Sequence, residues 1–174
     1  PKEIIAKLNG KYNNEDIKEA YNEILQLYNE QLLFSQDVYG DYAETAVKSP
    51  VKALCLHIAH DCNLRCKYCF AATGDFGTGR KLMPLETGKA AIDFLLEQSE
   101  GRENLEVDFF GGEPLMNFEV VKEIVNYARS KEKEFGKNFR FTITTNGMLL
   151  TDDKIDFINN EMSNVVLSID GRKE

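Results

Sequence analysis

No run in this chain approaches the roughly 20 apolar residues that a membrane-spanning helix needs. Residues 1–30 are too charged to contain the apolar stretch of a secretory signal. No membrane partner is therefore expected. Basic excess is missing as well: 21 Lys and Arg stand against 29 Asp and Glu, giving a net charge of −8. A phosphate backbone is gripped by clustered Lys and Arg, so nucleic acid is not an expected partner, and the acidic balance otherwise reads as a device for solubility. Spread cysteine pairs are lacking too. Of 4 cysteines, three crowd one short segment, which excludes the disulfide framework of a small secreted domain. A reducing, cytoplasmic compartment is the expected one. Nor is there an obvious acid–base dyad, and no residue is singled out as catalytic.

What is present is Cys62-Asn63-Leu64-Arg65-Cys66-Lys67-Tyr68-Cys69, a C-x3-C-x2-C loop directly after an apolar run. Thiolate sulfur favours soft and borderline metals, and cysteine clusters of this density read as metal or iron–sulfur ligands. With no fourth thiolate nearby, one coordination position stays open, and an open position is where chemistry happens. His57 or His60 could complete a Cys3His zinc site, but His60 is only two residues from Cys62, a cramped span for a chelate, and His57 reads better as a core or pocket histidine. Cys55, alone on a strand, is expected to be a buried small hydrophobe.

The chain divides near residue 50. Residues 1–49 carry two helical patterns. The first holds Ile4, Ile5 and Leu8 and stops at Asn9-Gly10; the second is capped by Asn13 or Asn14 and carries Ile17, Ala20, Tyr21, Ile24, Leu27 and Tyr28 at helical spacing. Leu32–Ser35 is expected to form a short strand. Helix, turn, longer helix and extended segment resemble half of a winged-helix unit, a type that often reads DNA. Five Lys, no Arg and nine acids in residues 1–49 favour peptide docking or packing instead.

Residues 50–174 alternate strand and helix. Strands are expected at Val51–His60, Leu105–Phe110, Phe139–Thr145 and Val165–Ile169. Helices are expected at Leu85–Gln98, after Asn117 as cap, and after Thr151 as cap. This βαβαβαβ order predicts an α/β fold of parallel strands, and the apolar strands predict burial on both faces. In such folds ligands gather at the C-terminal strand ends. There lie the cysteine loop, Gly111-Gly112-Glu113-Pro114, Thr145-Asn146-Gly147, and Ser168 with Asp170 and Gly171. Each has an ordinary reading: glycine turns, a surface acid, the common Asn-Gly turn dipeptide, helix caps. Together they point to one shared pocket, in which the glycines let a ligand approach the backbone and Glu113 could hold a ligand ammonium.

The cysteine loop after a first strand, with Tyr68 before the last cysteine, resembles the radical S-adenosylmethionine (SAM) superfamily, and Gly-Gly-Glu-Pro after the second strand resembles that family's second motif. The resemblance covers residues 55–171. It implies a partial (β/α)6 barrel, with Cys62, Cys66 and Cys69 holding three irons of a [4Fe–4S] cluster and SAM on the fourth. It further implies Gly111, Gly112 and Glu113 at the methionine amino group, Tyr68 and Phe70 flanking the adenine, and Thr144, Asn146, Ser168 and Asp170 facing the SAM ribose and carboxylate or the substrate. A one-electron reductant would then release a 5′-deoxyadenosyl radical that abstracts a substrate hydrogen, chemistry carried by the cofactor.

Residues 54–77 and 107–118 further resemble the SPASM-type peptide maturases, above all those of the six-cysteine SCIFF peptide, which are similar to sactipeptide synthases. That resemblance implies thioether formation between a cysteine sulfur and an α-carbon of a precursor peptide. It also implies that residues 1–49 are the helical part of a winged-helix-like element that recognises the leader of that peptide. Only four strands of the barrel are legible, and the arginine that the resemblance expects downstream, to meet the SAM carboxylate, and the C-terminal domain with auxiliary [4Fe–4S] clusters are not. The chain is thus expected to be part of a longer enzyme and inactive by itself. The alternatives are a radical SAM enzyme acting on another peptide, a small molecule or RNA, and an electron-transfer module, for which Gly-Gly-Glu-Pro would have no use.

Overall fold

The computed structural model describes residues 2–40, 42, 49–169 and 171. Contacts group the chain into two compact units, Pro1–Ser49 and Pro50–Glu174. In the first, α1 (Lys2–Leu8) and α2 (Asn14–Asn29) are joined by a turn in which Gly10 takes φ 86°. Asn13 caps α2, its side chain accepting the Glu15 N–H at 3.0 Å. Of the apolar stripe along α2, Ile17 is buried, while Ala20, Ile24 and Tyr28 remain exposed. The expected strand at Leu32–Ser35 is absent. Gln31 adopts the left-handed conformation (φ 59°), and the N–H groups of Gln31 and Leu32 return to the carbonyls of Tyr28 and Leu27. This is a Schellman ending made without glycine. A second left-handed residue, Phe34 (φ 55°), then prevents extension.

The second unit is a mixed α/β layer. Its sheet has the order β2-β1-β3-β4-β5, from β1 (Ala53–His60), β2 (Lys81–Leu82), β3 (Asn104–Gly111), β4 (Asn138–Thr145) and β5 (Met162–Leu167). All pairings are parallel except β1–β2. The helices α3 (Leu85–Gln98), α4 (Phe118–Phe135) and α5 (Asp152–Glu161) are the connections between the parallel strands. Leu105, Val107 and Phe109 of β3 and Phe139, Phe141 and Ile143 of β4 pack against Ile92 and Leu95 of α3 and Val121, Ile124 and Val125 of α4. Period-two alternation turns these residues to one face. Gly136, in the left-handed conformation, ends α4.

Four expectations are corrected. The strands are not buried on both faces: Asp108, Arg140 and Cys55 point to the other side and are exposed, because the helices cover only one side of the sheet. Cys55 is therefore not a buried hydrophobe. The last strand runs over Met162–Leu167 rather than Val165–Ile169, starting directly from α5, since polar Ser163 and Asn164 are tolerated on an exposed edge strand. Asn117 and Thr151 stand at helix starts, but neither side chain caps. Asn117 instead donates its amide to the carbonyls of Ile58 and Met83, at 3.1 and 3.0 Å, and so ties α4 to β1 and the segment after β2.

Candidate functional site

The C-terminal ends of β1, β3 and β4 converge, and the tightest contacts there are backbone on backbone. Gly112 donates to the Ala59 carbonyl at 2.7 Å, and Glu113 donates to the Asp61 carbonyl at 2.8 Å. A Cβ on Gly111 would stand 2.4 Å from the Ala59 carbonyl oxygen; one on Gly112 would stand 2.2 Å from that of Asp61. The glycine pair lets the end of β3 lie directly on the segment leading into the cysteine loop.

Glu113 has no exposed surface. Its Oε1 accepts the Leu115 N–H at 2.9 Å and the Thr145 hydroxyl at 2.8 Å, and its Oε2 accepts the Asn146 N–H at 2.8 Å. Three donors and no acceptor suit an acceptor-only carboxylate. The geometry makes this side chain a clasp between β3 and β4; its oxygens are turned away from solvent. Asn146 continues the chain of contacts. Its Oδ1 accepts the Met148 N–H at 3.0 Å, while its Nδ2 approaches Asn63 Oδ1 at 2.9 Å and Cys62 Sγ at 3.6 Å.

Asp61 anchors the other side of the loop. One carboxylate oxygen accepts the Cys62 N–H at 2.8 Å and pairs with Arg65 at 3.3 Å and Arg80 at 3.1 Å. Nothing in the spacing of the sequence singled out Asp61, since an acid before the first cysteine carries no periodic signal; Thr145 was expected at this strand end, but not as a partner of Glu113.

A cavity of about 380 Å³ opens between these strand ends. Cys62, Cys66 and Cys69 line it, as do Tyr68, Phe70, Gly111, Gly112, Thr144, Asn146 and Ser168. Sequence reasoning missed Leu64, Thr73, Phe110 and Met148, which also face it. Glu113 is not in the lining, and Asp170 lies outside the described residues. Tyr68 and Phe70 are largely exposed.

Beside the loop, His57 packs on Phe76 and Phe110 (ring centroids 4.7 and 5.6 Å), and His60 packs on Phe76 at 4.9 Å. His60 Nδ1 lies 2.9 Å from the Thr78 hydroxyl. Burial, with a smaller contribution from His60, holds the His57 imidazole below its ordinary pKa.

Among the described residues no three His, Cys, Asp or Glu side chains converge as they would around a single metal ion. Three cysteines on one loop lining one cavity, without convergence on a point, suit a cluster in which each thiolate takes a different iron.

The radical SAM superfamily model matches residues 56–174. The chain belongs to the radical SAM superfamily. An uncharacterised protein of Methanocaldococcus jannaschii is 34% identical over 70% of the chain and 39% of its own length. The radical SAM cyclopropyl synthase TigE of Paramaledivibacter caminithermalis is 23% identical over 91% of the chain and 37% of its own. A cysteine-type anaerobic sulfatase-maturating enzyme of Clostridium novyi is 30% identical over 66% of the chain and 31% of its own. The chain thus spans between about three tenths and two fifths of the length of these relatives. The structure of anSMEcpe with bound AdoMet aligns with TM-score 0.60 over 71% of this chain and 33% of that one, at 24% identity, which is a likeness of fold. Radical SAM membership implies a [4Fe–4S] cluster and SAM, and the cysteine loop supplies the matching donor set. Among the described residues no helix is long and apolar enough to cross a membrane.

Proposed function

We propose that this radical SAM chain generates the radical in an enzyme that installs thioether crosslinks, cysteine sulfur to α-carbon, in a ribosomally made cysteine-rich precursor peptide. The observation that supports a peptide substrate is the acidic helical pair α1 and α2 within residues 1–49, ahead of the radical SAM unit. The second unit accounts for about 72% of the chain (125 of 174 residues), yet the alignment with the cyclopropyl synthase covers 91% and so extends into residues 1–49. Those residues form the acidic helical pair that resembles a leader-recognition element. The structure likeness includes anSMEcpe with AdoMet and a peptide bound. The thioether itself rests on the resemblance of residues 54–77 and 107–118 to the SCIFF maturases.

In this reading Cys62, Cys66 and Cys69 hold the cluster. When bound, cluster and SAM together supply a 5′-deoxyadenosyl radical that takes a hydrogen atom from the peptide. Gly111 and Gly112 present backbone to the methionine part of SAM. Glu113 fixes the adjoining strand ends through Leu115, Thr145 and Asn146, and a direct contact with the SAM ammonium would use the acceptor capacity its carboxylate still has. Thr144, Asn146 and Ser168 offer polar groups to the ribose and carboxylate or to the substrate, with Asp170 assigned to the same role. Tyr68 and Phe70 flank the adenine, and Leu64, Phe110 and Met148 add apolar wall to the cavity. A one-electron reductant is the second partner; closing the C–S bond releases the thiol proton and one electron, and auxiliary [4Fe–4S] clusters, assigned outside residues 1–174, would accept that electron.

The test is anaerobic reconstitution of the full-length protein with SAM, a reductant and cysteine-rich candidate peptides, followed by mass spectrometry. A thioether removes two hydrogens per crosslink, and fragmentation places the bridge at a cysteine sulfur. SAM cleavage without any change in the peptides would overturn the peptide assignment while leaving the reaction class. Loss of two hydrogens with every cysteine thiol still free to alkylate would favour carbon-centred bond formation instead.

A further inference from the structure

We infer that Asn146 tunes the [4Fe–4S] cluster by donating a side-chain N–H···S hydrogen bond to the Cys62 thiolate. The inference rests on the reading of Cys62, Cys66 and Cys69 as cluster ligands. The orientation of the amide is fixed by its neighbours. The Met148 N–H can only donate, so the atom it meets at 3.0 Å is the Asn146 oxygen. The amide nitrogen must then face the loop, where it has two hydrogens and two acceptors: Asn63 Oδ1 at 2.9 Å and Cys62 Sγ at 3.6 Å. The backbone of Asn146 is itself pinned, its N–H held at 2.8 Å by the buried Glu113. The donor is therefore held in place by the protein's own groups.

The arrangement is asymmetric. Cys62 Sγ also receives the Leu64 N–H at 3.4 Å, whereas among the described residues no N–H is directed at the sulfurs of Cys66 or Cys69. Reduction adds negative charge to a cluster and its thiolates, so a hydrogen bond to a ligand sulfur stabilises the reduced form more than the oxidised one and raises the potential. A side-chain donor on one leg alone places that effect at the iron held by Cys62. It also links the cluster to the Glu113 clasp, so a disturbance of the strand ends is felt as a change in ease of reduction.

The experiment is a redox titration, followed by electron paramagnetic resonance, of the full-length cluster-loaded protein. It reads the cluster whose signal changes when SAM is added, which separates it from any auxiliary cluster. Asn146→Ala removes the donor and is expected to shift the midpoint to more negative potential at unchanged iron content. Asn146→Asp puts a carboxylate beside the thiolate and is expected to shift it further in the same direction. In the unsubstituted protein, asparagine labelled with nitrogen-15 at the side-chain amide should give a hyperfine coupling to this cluster, a readout that needs no variant to fold. Unchanged midpoints in both variants, or no such coupling, would overturn the inference. A SAM-responsive cluster that persists in Cys62→Ala would overturn the ligand reading beneath it, a result distinct from an unshifted potential.

Discussion

Glu113 and Asn146 meet where β3 and β4 end: the Glu113 carboxylate, without exposed surface, accepts the Asn146 backbone N–H at 2.8 Å. With the Thr145 hydroxyl and the Leu115 N–H on its other oxygen, one side chain fixes the positions of two strand ends and the turn between β3 and α4. Glu113→Gln keeps the shape but turns an NH2 group toward at least one of these donors. Leaving a buried partner unsatisfied costs about 2–3 kcal/mol. Denaturant unfolding should show that loss at unchanged m-value, and cluster content should fall with it because Asn146 and the cavity wall shift together. Full stability and full iron content in the Gln variant would contradict the clasp.

The glycine pair gives a sharper steric prediction. A Cβ on Gly112 would meet the Asp61 carbonyl oxygen at 2.2 Å and that of Gly74 at 2.7 Å. Both obstacles are backbone and cannot rotate aside. Gly112→Ala is therefore expected to cost about 3 kcal/mol, the upper end for overpacking, and to separate β3 from the cysteine loop. At Gly101, by contrast, a Cβ would meet nothing within 4 Å, and Gly101→Ala should stay within about 0.5 kcal/mol of the parent, as surface changes do. Thermal unfolding of the pair of variants checks the contrast.

Asp61 separates hydrogen bonding from charge. Its partners Arg65 and Arg80 are about half exposed, so Arg65→Ala or Arg80→Ala should each cost no more than about 1 kcal/mol. Asp61→Ala also strips the acceptor from the Cys62 N–H and should cost about 1–2 kcal/mol more than either. Asp61→Asn, which can still accept that N–H, should fall between. The order is read from urea unfolding and from iron bound per chain; equal effects of Asp61→Asn and Asp61→Ala would show that charge alone matters.

The parallel strands were legible because alternation is a local signal: Leu105, Val107, Phe109 and Phe139, Phe141, Ile143 each mark a buried face two residues apart. The cysteine loop was legible because rare residues crowd together. What was not legible depended on partners distant in sequence. β2, at Lys81–Leu82, is too short to carry a period and exists through its pairing with β1. Glu113 reads as a pocket acid for a ligand ammonium, and its burial as a clasp emerges only when the donors at Thr145 and Asn146, more than thirty positions on, are brought to it. Asn117 has the sequence of a helix cap, yet its amide is drawn to Ile58 and Met83. Leu32–Ser35 has the composition of a strand, but the preceding helix ends in a left-handed residue that composition does not mark.

The uncovered face of the sheet yields a prediction in pH. Cys55 and Asp108 are register partners on β1 and β3. Partial desolvation between the strands, and then the Asp108 charge, raise the Cys55 pKa above the ordinary thiol value. The thiolate is the reactive species, so alkylation of Cys55 should reach half its maximal rate at a higher pH than an unperturbed thiol does. Asp108→Asn removes the second cause and leaves the first, so the midpoint should fall without returning to the ordinary value. The measurement is iodoacetamide labelling across pH, with mass spectrometry assigning the label to Cys55. It is made in cluster-loaded protein so that the loop cysteines are protected. Cys55→Ser provides the background. A midpoint at or below the ordinary value, or one that Asp108→Asn leaves in place, would contradict the assignment of this pair.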